Sequence, residues 1–307
     1  MPNIIINNYC NQKCKYCFAE DNMTSIVKKD MKTSTFIKIL KYLKHNNDFN
    51  VRILGWEPLL SLSIRNFLLL SIKWWFNVII FSNINIPNEK LKSIFSWIEI
   101  KDKLRINCNI NNLDFYKQWE VENINKNLFY LNNIWVKLIL GYNIYDLDKD
   151  SEFIFNLAKK HNIGSINLKI TNSSLWEKLI IDNSKKELWS YIFNLIKKYY
   201  KDFFIEISCW LDKDIFTYEQ INFISHFTKI KLRFWCDWNI WEFDINSDWS
   251  IFKCFPLYNL YKKNTHNIDY LINNNIWVKS NIEYLKNNFW KVISKWECTA
   301  NKKIKCN

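Results

Sequence analysis

The chain has 307 residues, 49% of them apolar, with 43 Lys and Arg against 30 Asp and Glu, a formal net charge of +13. That length allows one large domain or two ordinary ones with a sizeable core, and no apolar run reaches the roughly 18–20 residues that would span a bilayer. Nine cysteines, with no basic-then-apolar leader after Met1-Pro2-Asn3, argue against a disulfide framework; the expectation is a soluble, cytoplasmic protein whose thiols are metal ligands and spares.

The basic charge has two readings. One is a nucleic-acid surface. The other is codon usage: Ala, Arg, Gly and Pro, which have GC-rich codons, are scarce, while Lys, Asn and Ile crowd the chain. The second explains more of the composition, so nucleic acid is not the expected partner.

Taken in chain order, Ile4-Ile5-Ile6 marks a first strand over 3–7. Cys10, Cys14 and Cys17 follow in the spacing Cys-x3-Cys-x2-Cys. Three thiolates this close can hold three corners of a [4Fe–4S] cube and leave the fourth iron without a protein ligand. The alternatives are a zinc site or unused thiols. Structural zinc sites usually pair two Cys hooks or add His, and no fourth ligand stands nearby in sequence. Residues 33–45 put Phe36, Ile39, Leu40 and Leu43 on one helical face. A strand over 51–54 runs into Gly55-Trp56-Glu57-Pro58, and one over 77–81 ends at Ser82-Asn83. The strand over 104–109 carries Asn107, Cys108 and Asn109, with Cys108 read as a buried apolar thiol. A strand over 136–142 leads to Asn143, a helix occupies 151–161 and a sixth strand 165–170.

Six strand–helix alternations predict an α/β fold with a parallel sheet, a partial (β/α)6 TIM-like barrel. Sites in such barrels assemble at the C-terminal ends of strands. Ser82, Asn83, Asn143, Asn107 and Asn109 are placed there, either as site groups or as satisfied polar caps. After about residue 172 the rhythm changes. A helical stretch over 185–200 and a strand over 203–208 precede short strand and turn signals over 237–253. Cys209, Cys236, Cys254, Cys298 and Cys306 all lie in this last third. The expected division is a barrel core over 1–200 and a smaller cysteine-bearing region over 201–307.

Tryptophan is anomalous. There are sixteen Trp and three Gly, where ordinary Gly usage of about 7% would give roughly twenty. Trp also stands where the backbone wants Gly. Trp74-Trp75 and Trp135 sit between a helical stretch and a strand, at positions expected to need positive φ. Trp249, in Asp248-Trp249, occupies the place of Gly in a hairpin turn. Either the chain is truly Trp-rich, its rings serving packing or stacking, or UGA codons that the organism reads as Gly have been translated as Trp. The second accounts for the positions as well as the numbers.

The segment Cys10-Asn11-Gln12-Lys13-Cys14-Lys15-Tyr16-Cys17 resembles the cluster loop of the radical S-adenosylmethionine (SAM) enzymes, which follows the first barrel strand and has an aromatic before the third Cys, here Tyr16. Gly55-Trp56-Glu57-Pro58 resembles that family's Gly-Gly-Glu-Pro, whose loop approaches the amino group of SAM. It departs at Trp56, where an indole would fill the cofactor's space. The stretch from Cys236 to Cys254, with Cys298 and Cys306, resembles the auxiliary-cluster extension called SPASM, or its shorter form, twitch. Larger members run on past the place of Cys306 into Gly-Gly-Cys. This chain stops at Asn307, so either four cysteines complete one cluster or the sequence is cut short.

The resemblance implies a [4Fe–4S] cluster with an open iron on Cys10, Cys14 and Cys17. It places SAM near Tyr16, Gly55, Trp56, Glu57, Ser82, Asn83 and Asn143, and a second [4Fe–4S] cluster on Cys236, Cys254, Cys298 and Cys306, with Cys209 a further candidate. It also implies an electron donor of the flavodoxin or ferredoxin type, and a substrate that is most often a peptide or protein. A small molecule or nucleoside is the alternative substrate. A non-catalytic iron–sulfur or zinc protein that binds nucleic acid is the alternative from another class.

Overall fold

The computed structural model describes residues 3–14, 16–17, 27–97, 101–145, 150–170, 186–211, 217–234, 244–245, 251–252, 268–274 and 276. Eight strands stand side by side in chain order, each parallel to the next. They are β1 (Asn3–Ile5), β2 (Asn50–Leu54), β3 (Asn77–Ser82), β4 (Leu104–Asn109), β5 (Lys137–Ile144), β6 (Ser165–Ile170), β7 (Phe204–Leu211) and β8 (Ile230–Phe234). Among the described residues each crossover carries one α-helix: α1 (Thr33–His45), α2 (Ile64–Lys73), α3 (Asn88–Phe95), α4 (Gln118–Asn133), α5 (Glu152–Lys160), α6 (Lys186–Tyr199) and α7 (Tyr218–Ser225). This is a parallel α/β sheet of the partial-barrel kind. At its other edge β9 (Asp244–Ile245) pairs parallel with β1, and β10 (Ile251–Phe252) pairs antiparallel with β9. A further helix, α8 (Ile268–Asn273), meets α1: Lys38 pairs with Asp269 at 2.9 Å, and the Tyr42 hydroxyl donates to the carbonyl of Ile276 at 2.8 Å.

The strands form where the sequence is rich in β-branched residues, and parallel strands covered by helices read as near-continuous apolar runs. Ile4, Val51, Ile53, Val78, Ile80, Ile106, Ile166, Ile205 and Ile207 are all buried. On α1 the residues expected on one face, Phe36, Ile39, Leu40 and Leu43, are the ones that lose contact with water. Phe36 stacks on Phe67 of α2 with ring centroids 4.3 Å apart. Truncating either ring to Ala would cost roughly 3–5 kcal/mol.

The parallel run is two strands longer than the six expected. Residues 171–185 break the apolar rhythm, which hid the continuity. On the far side α6 turns Trp189, Ile192, Leu195, Ile196 and Tyr199 into the same core, and β7 then pairs with β6 from Ser165 opposite Phe204. β8 escaped notice because Ile-Lys-Leu-Arg-Phe carries two charges. Charged side chains are how an edge strand discourages further pairing.

Four helix C-termini close in the same way. After α1, α2, α4 and α5 the chain passes through a left-handed residue: Asn47 (φ 55), Trp75 (φ 69), Trp135 (φ 63) and Asn162 (φ 53). Each makes the paired hydrogen bonds of a Schellman cap. After α2, Trp75 N–H donates to the Ile72 carbonyl at 2.9 Å and Phe76 N–H to the Ser71 carbonyl at 2.9 Å; after α4, Trp135 and Val136 bond to Asn132 and Leu131. The positive φ expected at Trp74-Trp75 and Trp135 is present at Trp75 and Trp135, while Trp74 has φ -94. The two indoles are 63% and 84% exposed, so packing does little to offset the conformational cost.

Candidate metal centre

The cluster loop springs from the C-terminal end of β1, and its neighbours fix its course. Ile6 N–H donates to the Leu54 carbonyl at 2.8 Å, Glu57 N–H to the Tyr9 carbonyl at 3.1 Å, and Asn7 Nδ2 to the Glu57 carbonyl at 2.7 Å. The loops after β1 and β2 therefore lie against each other. Gly55 is what lets them: a Cβ there would fall 1.9 Å from Asn7 Oδ1. Gly141 on β5 serves a similar approach, since a Cβ would lie 2.5 Å from Asn109 Oδ1. Lys169 Nζ donates to that same Asn109 oxygen at 3.0 Å.

Cys10, Cys14 and Cys17 are each partly buried, and Cys17 N–H donates to the Cys14 carbonyl at 2.9 Å, a tight turn. Donors converge on two of the sulfurs. Cys10 Sγ accepts from Gln12 N–H at 3.3 Å and faces Asn83 Nδ2 at 3.7 Å; Cys14 Sγ accepts from Asn111 Nδ2 at 3.3 Å. Such N–H groups suit a thiolate. Yet burial, then the charge of Glu57, push the Cys10 thiol up to about 12, and burial raises Cys14 as well. A metal bound to such cysteines favours their thiolate form. Among the described residues no three His, Cys, Asp or Glu side chains close on a single ion. Three cysteines in one loop, with N–H groups at two of the sulfurs, are donors of the kind that suit an iron–sulfur cluster.

Glu57 sits at the junction. It is fully buried, and its carboxylate accepts three bonds: Oε1 from Leu59 N–H at 3.0 Å and from the Ser82 hydroxyl at 2.7 Å, Oε2 from Asn83 N–H at 2.7 Å. Burial nevertheless raises its pKa to about 7, against the pull of those donors and of Lys90. Asn83 passes the connection on, giving Nδ2 to Asn11 Oδ1 at 3.0 Å beside Cys10. The turn after it is strained. Ile84 has φ 49, a left-handed value unusual for a β-branched residue, and is held by Ser82 Oγ on its N–H and Asn127 Nδ2 on its carbonyl.

Glu57, Ser82, Asn83 and Cys10 thus come together in one network, and the loop carrying Gly55 and Trp56 borders it. The Tyr16 side chain bonds to that of Asn143 and rests on the Tyr145 ring at 5.2 Å; desolvation, then the Cys14 charge, hold its hydroxyl well above the usual phenol range. Cys108 is fully buried, as expected of an apolar thiol. Asn107 and Asn109 stay on β4. Cys236, Cys254, Cys298 and Cys306, with Trp249, lie outside the described residues; Cys209 falls on β7. Sequence reading missed Asn111 and Tyr116, which meet around Cys14: Asn111 N–H donates to the Tyr116 hydroxyl at 2.9 Å. Their only signal was their position just past a strand end. A cavity of about 590 Å3 opens beside Cys10, bordered by Tyr9, Asn11, Lys28, Asp30 and Leu60.

Residues 3–97 match a family described as a 4Fe-4S single cluster domain. Among solved structures, SuiB of Streptococcus suis bound to its precursor peptide SuiA superposes with a TM-score of 0.62 at 15% identity, over 86% of this chain and 61% of that one. The anSMEcpe enzyme with bound AdoMet superposes with a TM-score of 0.62 at 13% identity, over 99% of this chain and 89% of that one. The chain shares the fold of these structures. Another anSMEcpe structure, with AdoMet and the Kp18Cys peptide, gives 0.60 at 13% identity over 94% and 80%. The likeness takes in the parallel run of strands described above. The chain spans about three fifths of the length of SuiB. No curated protein sequence matches it.

Proposed function

We propose that this chain is a radical SAM enzyme that acts on a peptide or protein. Cys10, Cys14 and Cys17 would hold a [4Fe–4S] cluster with one open iron. Tyr16, Gly55, Trp56, Glu57, Ser82, Asn83 and Asn143 would border SAM. When bound, cluster and nucleotide supply a reductively generated 5′-deoxyadenosyl radical that takes a hydrogen atom from the substrate. The protein's part is to place the target bond, to exclude water and to set the electrostatics around the sulfurs. Glu57 serves by locking the loops after β2 and β3 to the cluster loop. The observation that carries the reading is the loop of three partly buried thiols at the strand ends, with N–H donors aimed at the sulfurs of Cys10 and Cys14. A peptide substrate is favoured because SuiB is seen with its precursor peptide and anSMEcpe with a peptide and AdoMet.

The finer parts belong to the same proposal. Cys236, Cys254, Cys298 and Cys306 would hold an auxiliary [4Fe–4S] cluster in a region over 201–307, with β7 and β8 carrying the sheet of the core past residue 200. A flavodoxin or ferredoxin would deliver the electron. Among the described residues no helix is long and apolar enough to cross a membrane, and the cytoplasm is the proposed compartment. Oxygen-free reconstitution tests the core claim. The wild type should form 5′-deoxyadenosine from SAM under reduction, and Cys14→Ala should form none; equal turnover by both would refute it.

A further inference from the structure

Asn111 lies two residues past β4 and is almost completely buried. Its amide is gripped from both ends. The Tyr16 hydroxyl donates to Oδ1, which turns Nδ2 toward Cys14, where it donates to Sγ at 3.3 Å. The backbone is pinned as well, its N–H on the Tyr116 hydroxyl at 2.9 Å. A side chain 97 positions from Cys14 in sequence is thus held by two tyrosines with its donor on one sulfur of the cluster loop. The network holds no other role for that N–H.

Resting on the function proposed above, we infer that Asn111 is a positioning residue that sets the reduction potential of the N-terminal cluster. A cluster gaining an electron becomes more negative, and the added charge spreads onto its cysteine sulfurs. An N–H dipole aimed at one of them favours the reduced state, so it raises the potential. The buried setting strengthens that dipole relative to one in water. Tyr16 fixes which end of the amide faces the sulfur and also bonds to Cys14 itself, and Tyr116 fixes the distance of the amide.

The test is a redox titration followed by paramagnetic resonance on oxygen-free reconstituted full-length protein without SAM, read on the signal that Cys14→Ala abolishes. Asn111→Leu keeps the size and removes the donor; Asn111→Asp also adds a negative charge. Both should hold as much iron as the wild type. Both midpoints should move to more negative values, Asp further than Leu. Unchanged or raised midpoints at full iron content would overturn the inference. So would weaker SAM binding at an unchanged midpoint, which would make Asn111 a nucleotide contact instead. Should neither variant assemble the cluster, Tyr116→Phe, which leaves the amide in place but unpins it, should give a smaller shift of the same sign, and its absence would overturn the inference. A wild type with no cubane signal would instead refute the function on which this rests.

Discussion

The carboxylate of Glu57 receives the backbone N–H of Asn83 at 2.7 Å, and through it the turn after β3 is fastened to the loop after β2. Because the same carboxylate takes Ser82 and Leu59, one buried side chain sets the spacing of two loops that border the cluster loop. Replacing it with Gln puts an amide N–H where the Asn83 N–H needs an acceptor. Glu57→Gln should therefore cost about 1–3 kcal/mol in denaturant unfolding and should weaken SAM binding measured by equilibrium dialysis.

The pH dependence follows from the same burial. The Glu57 pKa is raised in the folded state to about 7 from 4.5. A carboxyl held higher in the fold than in the unfolded chain stabilises most below its unfolded value, and that stabilisation is lost as pH rises through the folded value. The stability advantage of the wild type over Glu57→Gln should accordingly be larger at pH 5 than at pH 8. A gap that is flat, or that widens with pH, would show that the three donors outweigh the burial.

Trp75 and Trp135 hold left-handed backbone while exposing most of their rings. A left-handed conformation costs an L-residue roughly 1–2 kcal/mol and Gly nothing. Trp75 recovers part of this by a cation–π contact with Lys103 at 4.7 Å; Trp135 is the cleaner case. Trp135→Gly should raise stability by about 1 kcal/mol and Tm by about 2 °C. Trp135→Ala, which keeps a Cβ, should not. Scanning calorimetry distinguishes the two.

Gly55 admits no side chain. Gly55→Ala would drive a methyl into Asn7, whose amide holds the Glu57 carbonyl. The expected cost is roughly 1–3 kcal/mol, with lower iron occupancy after reconstitution, since Asn7 leads directly into the loop of Cys10.

At position 56 the expectation concerns the ligand. If the organism's residue is Gly, Trp56→Gly should tighten SAM binding by at least about tenfold, the equivalent of ~1.4 kcal/mol. Mass spectrometry of the peptide from its native host reads the residue directly.

Much of the fold was legible because parallel strands and amphipathic helices announce themselves by period: the helix carrying Phe36, Ile39, Leu40 and Leu43 lies where its spacing put it. The cysteine loop was legible because its chemistry is local. The strand over 203–208 was legible as β7, but a polar interval hid its continuity with β6, and β8 was missed because Lys231 and Arg233 mask a strand whose partner is fixed only in three dimensions. Asn111 could not be found from sequence, since its meaning comes from Tyr16 and Cys14, nearly a hundred residues away. The positions of Trp75 and Trp135 were readable in a different sense: the residue was wrong for the place, and the backbone there has the conformation the place demanded.

The pairing of β9 with β1 has a consequence for biosynthesis. β1 is three residues long, and one of its two flanking partners is Asp244–Ile245. While the ribosome is still making the middle of the protein, the strand that launches Cys10 has a neighbour on one side only. Because chains fold from the N-terminus as they emerge, the sheet edge beside the thiols closes only once Asp244–Ile245 has been made, about 240 residues after β1, and until then the nest around them is half open.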